Sequence, residues 1–310
     1  MAINKAMRLA LKALSYPNID LKKVYKIQRA LQNLSASNHL AHYKMWDKKI
    51  SFGDHKILTR IYEPDKSKCA VERNKLLLFF HGGGWVTENV NTYNKVCAGL
   101  ADNTGCRVAS VEYRLAPEFP FPAGLNDCYA VAKEILTNCS ELISCPDDVV
   151  LIGDSAGGNI AAVVSMMLRD DGNVKVNNQI LIYPATWNDH SENSPFVSVR
   201  ENGTEYLLTS KRIEDYMDMY VDNNEYRSSP LVAPLLADNF SDMPRTLVIT
   251  AEFDPLRDEG EAYAKKLKKA GNEVRLYRMK DALHGFFALG VKYSQVRRCY
   301  KYINRFLDEI

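Results

Sequence analysis

A serine flanked by glycines directly follows a strongly apolar stretch of the chain. The segment Val149-Val-Leu-Ile-Gly-Asp-Ser-Ala-Gly-Gly-Asn159 contains the pattern G-x-S-x-G, formed by Gly153, Ser155 and Gly157. Small residues on both sides allow a strand to turn sharply into a helix, which holds the serine hydroxyl above the strand ends. A turn that only caps a helix is the alternative. The apolar strand before Ser155 and the helical pattern after it favour a nucleophile.

A neutral serine is a weak nucleophile and needs a general base, which in turn needs an orienting group. Only two of the six histidines, His190 and His284, follow Ser155 in the chain. His190 lies in a polar segment with no strand before it, whereas His284 follows both a predicted strand and an acid at a strand end. In the chain order serine, acid, histidine, His284 is the predicted base.

The acid is predicted at the end of the segment Leu247-Val-Ile-Thr-Ala-Glu-Phe-Asp-Pro-Leu-Arg-Asp258. Asp254 is preferred because Pro255 fixes the loop directly after it. Glu252 remains the alternative, and Asp258 is expected to begin the next helix.

Three consecutive glycines, Gly82, Gly83 and Gly84, follow another apolar stretch and stand between His81 and Trp85. A negative oxygen that forms when a serine attacks a carbonyl needs N–H donors held in place beforehand. A loop without side chains brings its N–H groups close to that oxygen, and the residue after the nucleophile, Ala156, supplies another. We therefore predict an oxyanion hole at Gly83, Gly84 and Ala156, with Gly82 as a weaker candidate. His81 precedes Ser155, so it is expected to support this loop, with Trp85 packed beside it.

Short apolar segments that alternate with helical patterns predict the framework for these residues. The predicted buried strands are 76–80, 107–111, 149–152, 179–183, 246–250 and 273–277, and the predicted helices include 126–136, 159–168 and 259–270. Two further strands, at 49–52 and 55–62, flank a Gly-Asp turn. This alternation is typical of an α/β protein whose mostly parallel sheet carries helices on both faces.

Two segments break this rhythm. Residues 184–244 are polar, with one predicted helix at 210–221, and residues 1–45 have the pattern of amphipathic helices with a break at 15–18. An insertion after a strand of such a sheet lies above the carboxyl ends of the strands, where these folds bind ligands. We therefore expect a cap formed by residues 185–244, completed by a helical arm at 1–45, over a catalytic domain of residues 46–184 and 245–310.

Composition limits the possible locations and partners. The chain has 310 residues, a net charge of +2 and seven scattered cysteines with no zinc-ligand spacing. His39 and His42 lie three residues apart but have no third ligand nearby, so no metal site is predicted. The near-neutral charge gives no indication of nucleic-acid binding. The odd, unpaired cysteines, the lack of a signal-peptide pattern and the lack of a long apolar run predict a cytoplasmic protein away from the membrane.

The motifs together resemble the hormone-sensitive-lipase family of α/β-hydrolases, of the bacterial carboxylesterase and acetyl esterase type. The similar segments are His81-Gly-Gly-Gly-Trp85, Tyr113-Arg-Leu-Ala-Pro-Glu-Phe-Pro120, Gly153-Asp-Ser-Ala-Gly-Gly-Asn159, Asp254-Pro-Leu-Arg-Asp258 and His284-Gly-Phe286. The resemblance runs from about Leu76 to the C-terminus. It implies the α/β-hydrolase fold and a cap, built from the insertion and the arm, over the acyl pocket.

This resemblance implies a serine carboxylesterase that cleaves short-acyl esters through an acyl-enzyme, without a cofactor or metal and as a monomer or homodimer. A deacetylase, amidase or formamidase acting on a small acylated metabolite is the alternative within hydrolases. Some relatives bind a ligand without catalysis after losing the histidine. Because Ser155, Asp254 and His284 are all present here, a binding-only protein is disfavoured.

Overall fold

We describe the fold from a computed structural model, which describes residues 11, 12, 15, 20–36, 43–138 and 142–310. Eight strands form one sheet: β1 (Met45–Phe52), β2 (His55–Tyr62), β3 (Leu76–Phe80), β4 (Arg107–Val111), β5 (Val149–Asp154), β6 (Asn178–Ile182), β7 (Arg245–Phe253) and β8 (Val274–Leu283). They pair in the order β1-β2-β4-β3-β5-β6-β7-β8. The six strands from β4 to β8 in this order are parallel, while β1 and β2 pair antiparallel. The predicted mostly parallel sheet is confirmed.

The central strands are apolar throughout because both faces of the sheet are covered. All five side chains of β3 are fully buried, with Leu76, Leu78 and Phe80 in one core and Leu77 and Phe79 in the other. A strand buried on both faces has no polar side to alternate with an apolar one. This explains the continuous apolar segments by which the strands were predicted.

Helices form the two outer layers. The helices in the described part of the chain are α1 (Leu21–Ser35), α2 (Asn94–Thr104), α3 (Ala123–Thr137), α4 (Ala156–Asp171), α5 (Val197–Asn202), α6 (Ser210–Tyr220), α7 (Arg257–Lys269) and α8 (Ser294–Leu307). Short 3-10 helices occupy Pro146–Asp148, Asn224–Ser228, Pro234–Leu236 and Phe286–Leu289. Helices α3, α4 and α7 cover one face of the sheet, and α2 and α8 cover the other. The crossovers β3–β4, β4–β5, β5–β6 and β7–β8 therefore each have a helix that buries against the sheet, whereas the crossover from β6 to β7 is formed by the segment 185–244.

The two last strands are longer than predicted. β7 runs to Phe253 and β8 to Leu283, and their pairing is interrupted by an irregularity between Ala251 and Phe253. The extension of β8 contains Lys280 and Asp281, whose charges concealed it in the sequence. Because β7 ends at Phe253 and β8 ends at Leu283, Asp254 and His284 each directly follow a strand.

The longest described part of the N-terminal arm is α1, which begins after Asp20, whose side chain accepts a hydrogen bond from the N–H of Lys22. Most of the first predicted helix of the arm, together with His39 and His42, lies outside the described residues. Among the residues that are described, no helix is both long and apolar enough to cross a membrane. In that same part of the chain, no group of three or more His, Cys, Asp or Glu side chains is arranged to hold a metal ion.

Candidate active site

Three side chains from three strand ends form a continuous hydrogen-bonded chain. His284 Nε2 lies 2.9 Å from Ser155 Oγ, and His284 Nδ1 lies 2.7 Å from Asp254 Oδ2. With a proton on Nδ1 that is donated to the carboxylate, Nε2 is left to accept the proton of the serine hydroxyl. Asp254 is fully buried, which protects its hydrogen bond to the imidazole from water.

Ser155 occupies a sharp turn between β5 and α4. Its backbone has φ +56° and ψ −119°, a region that side chains rarely adopt. A Cβ atom on Gly153 would lie 2.1 Å from the carbonyl oxygen of Gly157, and one on Gly157 would lie 1.9 Å from that of Phe80. The strand and helix approach so closely that only glycine fits at these two positions, which explains the spacing G-x-S-x-G.

The structure distinguishes the three candidate acids. Glu252 Oε2 accepts a hydrogen bond of 2.7 Å from the N–H of Asp281, which directs this carboxylate toward β8. Asp258 stands in the first turn of α7 and accepts from the N–H of Ser198. Of the three, only Asp254 contacts His284, and its second oxygen accepts a hydrogen bond from the N–H of Leu256.

The three consecutive glycines are not equivalent. The N–H of Gly82 donates to Asp154 Oδ1 at 2.9 Å, so it is already occupied. Gly83 and Gly84 have φ values of +109° and +62°, and neither N–H binds an acceptor within the part of the chain that the structure describes. Ala156 is the first residue of α4, where N–H groups have no partner in the helix. The available donors are thus those of Gly83, Gly84 and Ala156.

Asp154 joins the turn at Ser155 to the glycine loop, which consists of Gly82, Gly83 and Gly84. The sequence did not indicate this role. Asp154 is almost fully buried, and besides Gly82 it accepts hydrogen bonds from the hydroxyls of Tyr93 and Tyr183. Burial raises the pKa of this carboxyl to about 6, although these hydrogen bonds and the charge of His284 oppose the shift. Its place inside the G-x-S-x-G motif is the one signal that could have identified it.

His81 lies beneath the loop rather than beside Ser155. Its ring stacks on Tyr113 with 4.3 Å between the centroids, and its Nδ1 lies 2.8 Å from the carbonyl oxygen of Gly82. Complete burial lowers the pKa of His81 to about 4, which keeps the ring neutral. The indole of Trp85, which was expected to pack beside His81, instead stacks on Tyr220 of α6 with 4.5 Å between the centroids.

A cavity of about 190 Å³ opens at Ser155 and His284. Leu208, Ile213 and Tyr216 from the segment 185–244 line it, and so does Gln28 of α1. The segment 185–244 and the N-terminal arm, which both interrupt the alternation of strands and helices, therefore contribute side chains to the wall of the same cavity.

Helix α1 is attached to the loops around the site by hydrogen bonds to backbone oxygens. Arg29 Nε donates to the carbonyl oxygen of Val86, and its Nη2 donates to that of Ala116, each at 2.6 Å. A charged donor on a carbonyl forms a stronger hydrogen bond than a neutral one. This contact fixes α1 next to the residues that follow the glycine loop.

His190, the other histidine after Ser155, belongs to a separate buried cluster. Its Nε2 lies 2.7 Å from Glu259 Oε2, and its backbone N–H donates to Glu214 Oε1 at 2.6 Å. Burial lowers the pKa of His190, but the Glu259 and Glu214 carboxylates outweigh this effect and raise it to about 9. His190 thus joins the segment 185–244 to α7 as a cation between two carboxylates.

Comparisons with known proteins agree with this architecture. A family model described as the α/β-hydrolase fold matches residues 77–288, more than half of the chain. The arylesterase of Saccharolobus solfataricus is 34% identical over 241 residues, covering 77% of this chain and 76% of that protein. The ethyl acetate hydrolase of Pseudomonas putida is 32% identical over 237 residues, covering 76% of this chain and 73% of the relative.

A solved structure gives the same result over the full length. The hyperthermophilic esterase from the archaeon Pyrobaculum calidifontis superposes with a TM-score of 0.85 at 35% identity, covering 100% of this chain and 99% of the esterase chain. This chain therefore belongs to the α/β-hydrolase family, in the hormone-sensitive-lipase group of carboxylic ester hydrolases that its motifs predicted.

Proposed function

We propose that this protein hydrolyses short-acyl carboxylic esters through an acyl-enzyme formed on Ser155. The observation that carries the proposal is the hydrogen-bonded chain from Ser155 Oγ through His284 to Asp254, with distances of 2.9 and 2.7 Å. The N–H groups of the glycine loop next to Ser155 support it, because they can stabilise the oxyanion of the tetrahedral intermediate.

The residues take the following roles in the reaction. Ser155 Oγ attacks the ester carbonyl carbon and transfers its proton to His284 Nε2, while Asp254 orients the imidazole and stabilises its positive charge. The N–H groups of Gly83, Gly84 and Ala156 hold the oxyanion. The bond to the alcohol oxygen then breaks, and the alcohol leaves with the proton from His284. Water attacks the acyl-enzyme by the same route and releases the acid and the serine.

The size of the cavity supports a preference for short acyl groups. Its volume of about 190 Å³ is below the roughly 300–1,000 Å³ of pockets that hold larger ligands. The name of the Pseudomonas relative, ethyl acetate hydrolase, indicates a short-chain ester as the substrate of that protein. We infer a similar range of acyl groups for this chain.

The division into a catalytic domain and a cap is also a proposal. Residues 46–184 and 245–310 would form the catalytic domain, with 185–244 and the arm at 1–45 as the cap. The side chains of Leu208, Ile213, Tyr216 and Gln28 along the cavity support it. In addition, Lys22 of α1 forms an ion pair of 3.1 Å with Asp218 of α6, which joins the two cap segments.

We further propose a cytoplasmic location. All six described cysteines are free, as is typical of a reducing compartment. Fractionation of cells that express the untagged chain would test this, and recovery outside the cytoplasm would contradict it.

Two experiments test the proposed function. A fluorophosphonate probe should label Ser155, as mapped by peptide mass spectrometry, and Ser155→Ala should abolish labelling without loss of the fold. A series of p-nitrophenyl esters should give the highest kcat/KM for acyl groups of about two to four carbons and a steep decline beyond them. Labelling at another residue, or equal hydrolysis of long-chain esters, would contradict the nucleophile or the chain-length range, respectively.

A further inference from the structure

Glu88 combines an unfavourable backbone conformation with a position in the active-site cavity. Its φ is +69°, in the left-handed region that residues with a side chain seldom adopt. Such residues persist only where the surrounding structure holds them, and they are frequent at ligand-binding sites. Glu88 lines the same cavity as Ser155 and His284.

The side chain of Glu88 crosses the glycine loop. Its Cγ lies 2.9 Å from the point where a Cβ atom on Gly83 would stand, so its aliphatic part packs on the bare backbone of Gly83. On the other side, Gln32 Nε2 of α1 donates a hydrogen bond to Glu88 Oε1. The loop and the arm together hold Glu88 at the cavity wall.

Among the described residues, this carboxylate has no cationic partner. Glu88 forms no ion pair in that part of the chain, and no Lys or Arg stands among the described residues that line the cavity. The other acid in the wall is Asp154, whose oxygens are occupied by Gly82, Tyr93 and Tyr183. Burial raises the pKa of Glu88, and hydrogen bonding by Thr92 and Gln32 opposes that shift.

Aromatic rings stand in the same wall. Trp85, Tyr93 and Tyr216 all line the cavity that contains Glu88. An ammonium group is attracted both by a carboxylate and by the face of an aromatic ring. A carboxylate substrate would meet repulsion from Glu88 with no Lys or Arg side chain among the described wall residues to offset it.

We propose that Glu88 is a specificity-determining residue that makes the enzyme prefer esters carrying an ammonium group over neutral esters of the same shape. The preference rests on the proposed ester hydrolysis at Ser155 and concerns the group next to the scissile bond rather than the bond itself. A cation on the alcohol side or on the acyl side would be recognised by the same carboxylate.

Matched pairs of substrates test this preference. Acetylcholine is compared with 3,3-dimethylbutyl acetate for a cation in the alcohol, and ethyl 4-aminobutanoate with ethyl pentanoate for a cation in the acyl group. In at least one pair, kcat/KM should be about three- to tenfold higher for the cationic ester, as expected for a partly exposed charge contact. The pair with the larger ratio identifies the side on which Glu88 acts.

Substitution of Glu88 provides the second measurement. Glu88→Gln keeps the shape and the acceptor for Gln32 but removes the charge, so the ratio within that pair should fall to about one. Glu88→Asp should keep part of the preference. Because the readout is a ratio within one enzyme variant, any general effect on the cavity cancels. The preference of the wild type should also decrease with added salt, which screens the charge.

Glu118→Gln is the matched control. Glu118 binds Arg29 of α1, as Glu88 binds Gln32 of the same helix, but it does not line the cavity. This variant weakens the attachment of α1 and should retain the full ratio. Equal kcat/KM for both members of each pair in the wild type, or an unchanged ratio in Glu88→Gln, would overturn the proposal.

Binding separates this proposal from the proposed function. In Ser155→Ala, calorimetry should show tighter binding of choline than of 3,3-dimethylbutanol, or of 4-aminobutanoate ethyl ester than of ethyl pentanoate, and Glu88→Gln should remove the difference. If the wild type hydrolyses neither ester but this binding difference is present, the proposed function fails and the role of Glu88 stands. If the wild type hydrolyses the esters but choline and 4-aminobutanoate ethyl ester bind no more tightly than their neutral counterparts, the proposed function stands and the role of Glu88 fails.

Discussion

Gly84 of the glycine loop lies against the ring of Tyr216 in α6. A Cβ atom on Gly84 would stand 2.4 Å from Tyr216 Cγ, far inside contact distance. Gly84 also has φ +62°, which favours glycine independently of this contact. The loop proposed to hold the oxyanion is thus covered by a side chain from the proposed cap. Glycine at position 84 allows both the close contact with Tyr216 and the positive φ.

We predict that Gly84→Ala lowers kcat/KM by about 10²-fold or more, because displacement of the loop moves an oxyanion donor away from the carbonyl oxygen. The measurement is kcat/KM with p-nitrophenyl acetate, together with the melting temperature. Gly53→Ala is the matched control, since Gly53 has φ +58° but no neighbour within 4 Å of the added atom. It should lose about 1–2 kcal/mol of stability from the same backbone strain and keep its activity. Similar kinetics for both variants would contradict the prediction.

Replacement of His284 tests the base. His284→Ala should lower kcat by about 10⁴-fold or more while the protein stays folded, because Ser155 loses its proton acceptor. Fluorophosphonate labelling of Ser155 should slow in parallel. If His284→Ala kept full activity and a folded His81→Ala variant was inactive, the roles of the two histidines would have to be exchanged.

Buried His81 should make the fold sensitive to acid. The pKa of His81 is about 4 in the folded protein, against an ordinary value of 6.5. Between these pH values the unfolded chain binds a proton that the folded protein does not. The free energy of unfolding should therefore fall as the pH decreases from 6.5 to 4, by up to roughly 3 kcal/mol from this residue. Urea unfolding at pH 7 and pH 5 should show a smaller loss for His81→Gln than for the wild type, and an equal loss would contradict the prediction.

His190 should have the opposite effect. Its pKa is about 9 in the folded protein, against 6.5 ordinarily, so the folded protein keeps a proton that the unfolded chain releases. Its stabilisation is complete below pH 6.5 and is lost as the pH rises through about 9. Urea unfolding at pH 7 and pH 9 should show a loss of up to roughly 3 kcal/mol in the wild type that His190→Gln lacks. A variant with the same alkaline loss as the wild type would exclude this contribution.

The sequence predicted the strand ends better than the contacts between them. Apolar segments and their order were sufficient to bring Ser155, Asp254 and His284 to one edge of the sheet. The choice between Asp254 and Glu252 depends on the local path of β7 and β8, which includes an irregularity between Ala251 and Phe253. The apolar pattern does not determine that path, so the sequence could only favour Asp254 over Glu252.

Residues that act through burial or backbone conformation were not predictable. Asp154 stands inside a recognised motif, but its role as acceptor for Gly82, Tyr93 and Tyr183 becomes visible only when distant segments are packed. The positive φ of Glu88 could not be predicted from its residue type, because such a conformation is expected at glycine. The stacking of Trp85 on Tyr220 depends on how α6 crosses the site. The polar composition of the segment 185–244 does not predict the position of that helix.

Removal of the arm tests the proposed cap. Deletion of residues 1–36 takes away Gln28 from the cavity wall and the bonds from Arg29 to Val86 and Ala116. Ser155, Asp254 and His284 stand on the sheet and keep their contacts. We therefore expect KM to rise more than kcat falls, longer acyl chains to be accepted, and the melting temperature to decrease. The full-length variant Arg29→Gln keeps α1 but loses its charged donor, so its values should lie between those of the wild type and the truncated protein. If truncation left acyl selectivity and melting temperature unchanged, the arm would be a peripheral segment rather than part of the cap.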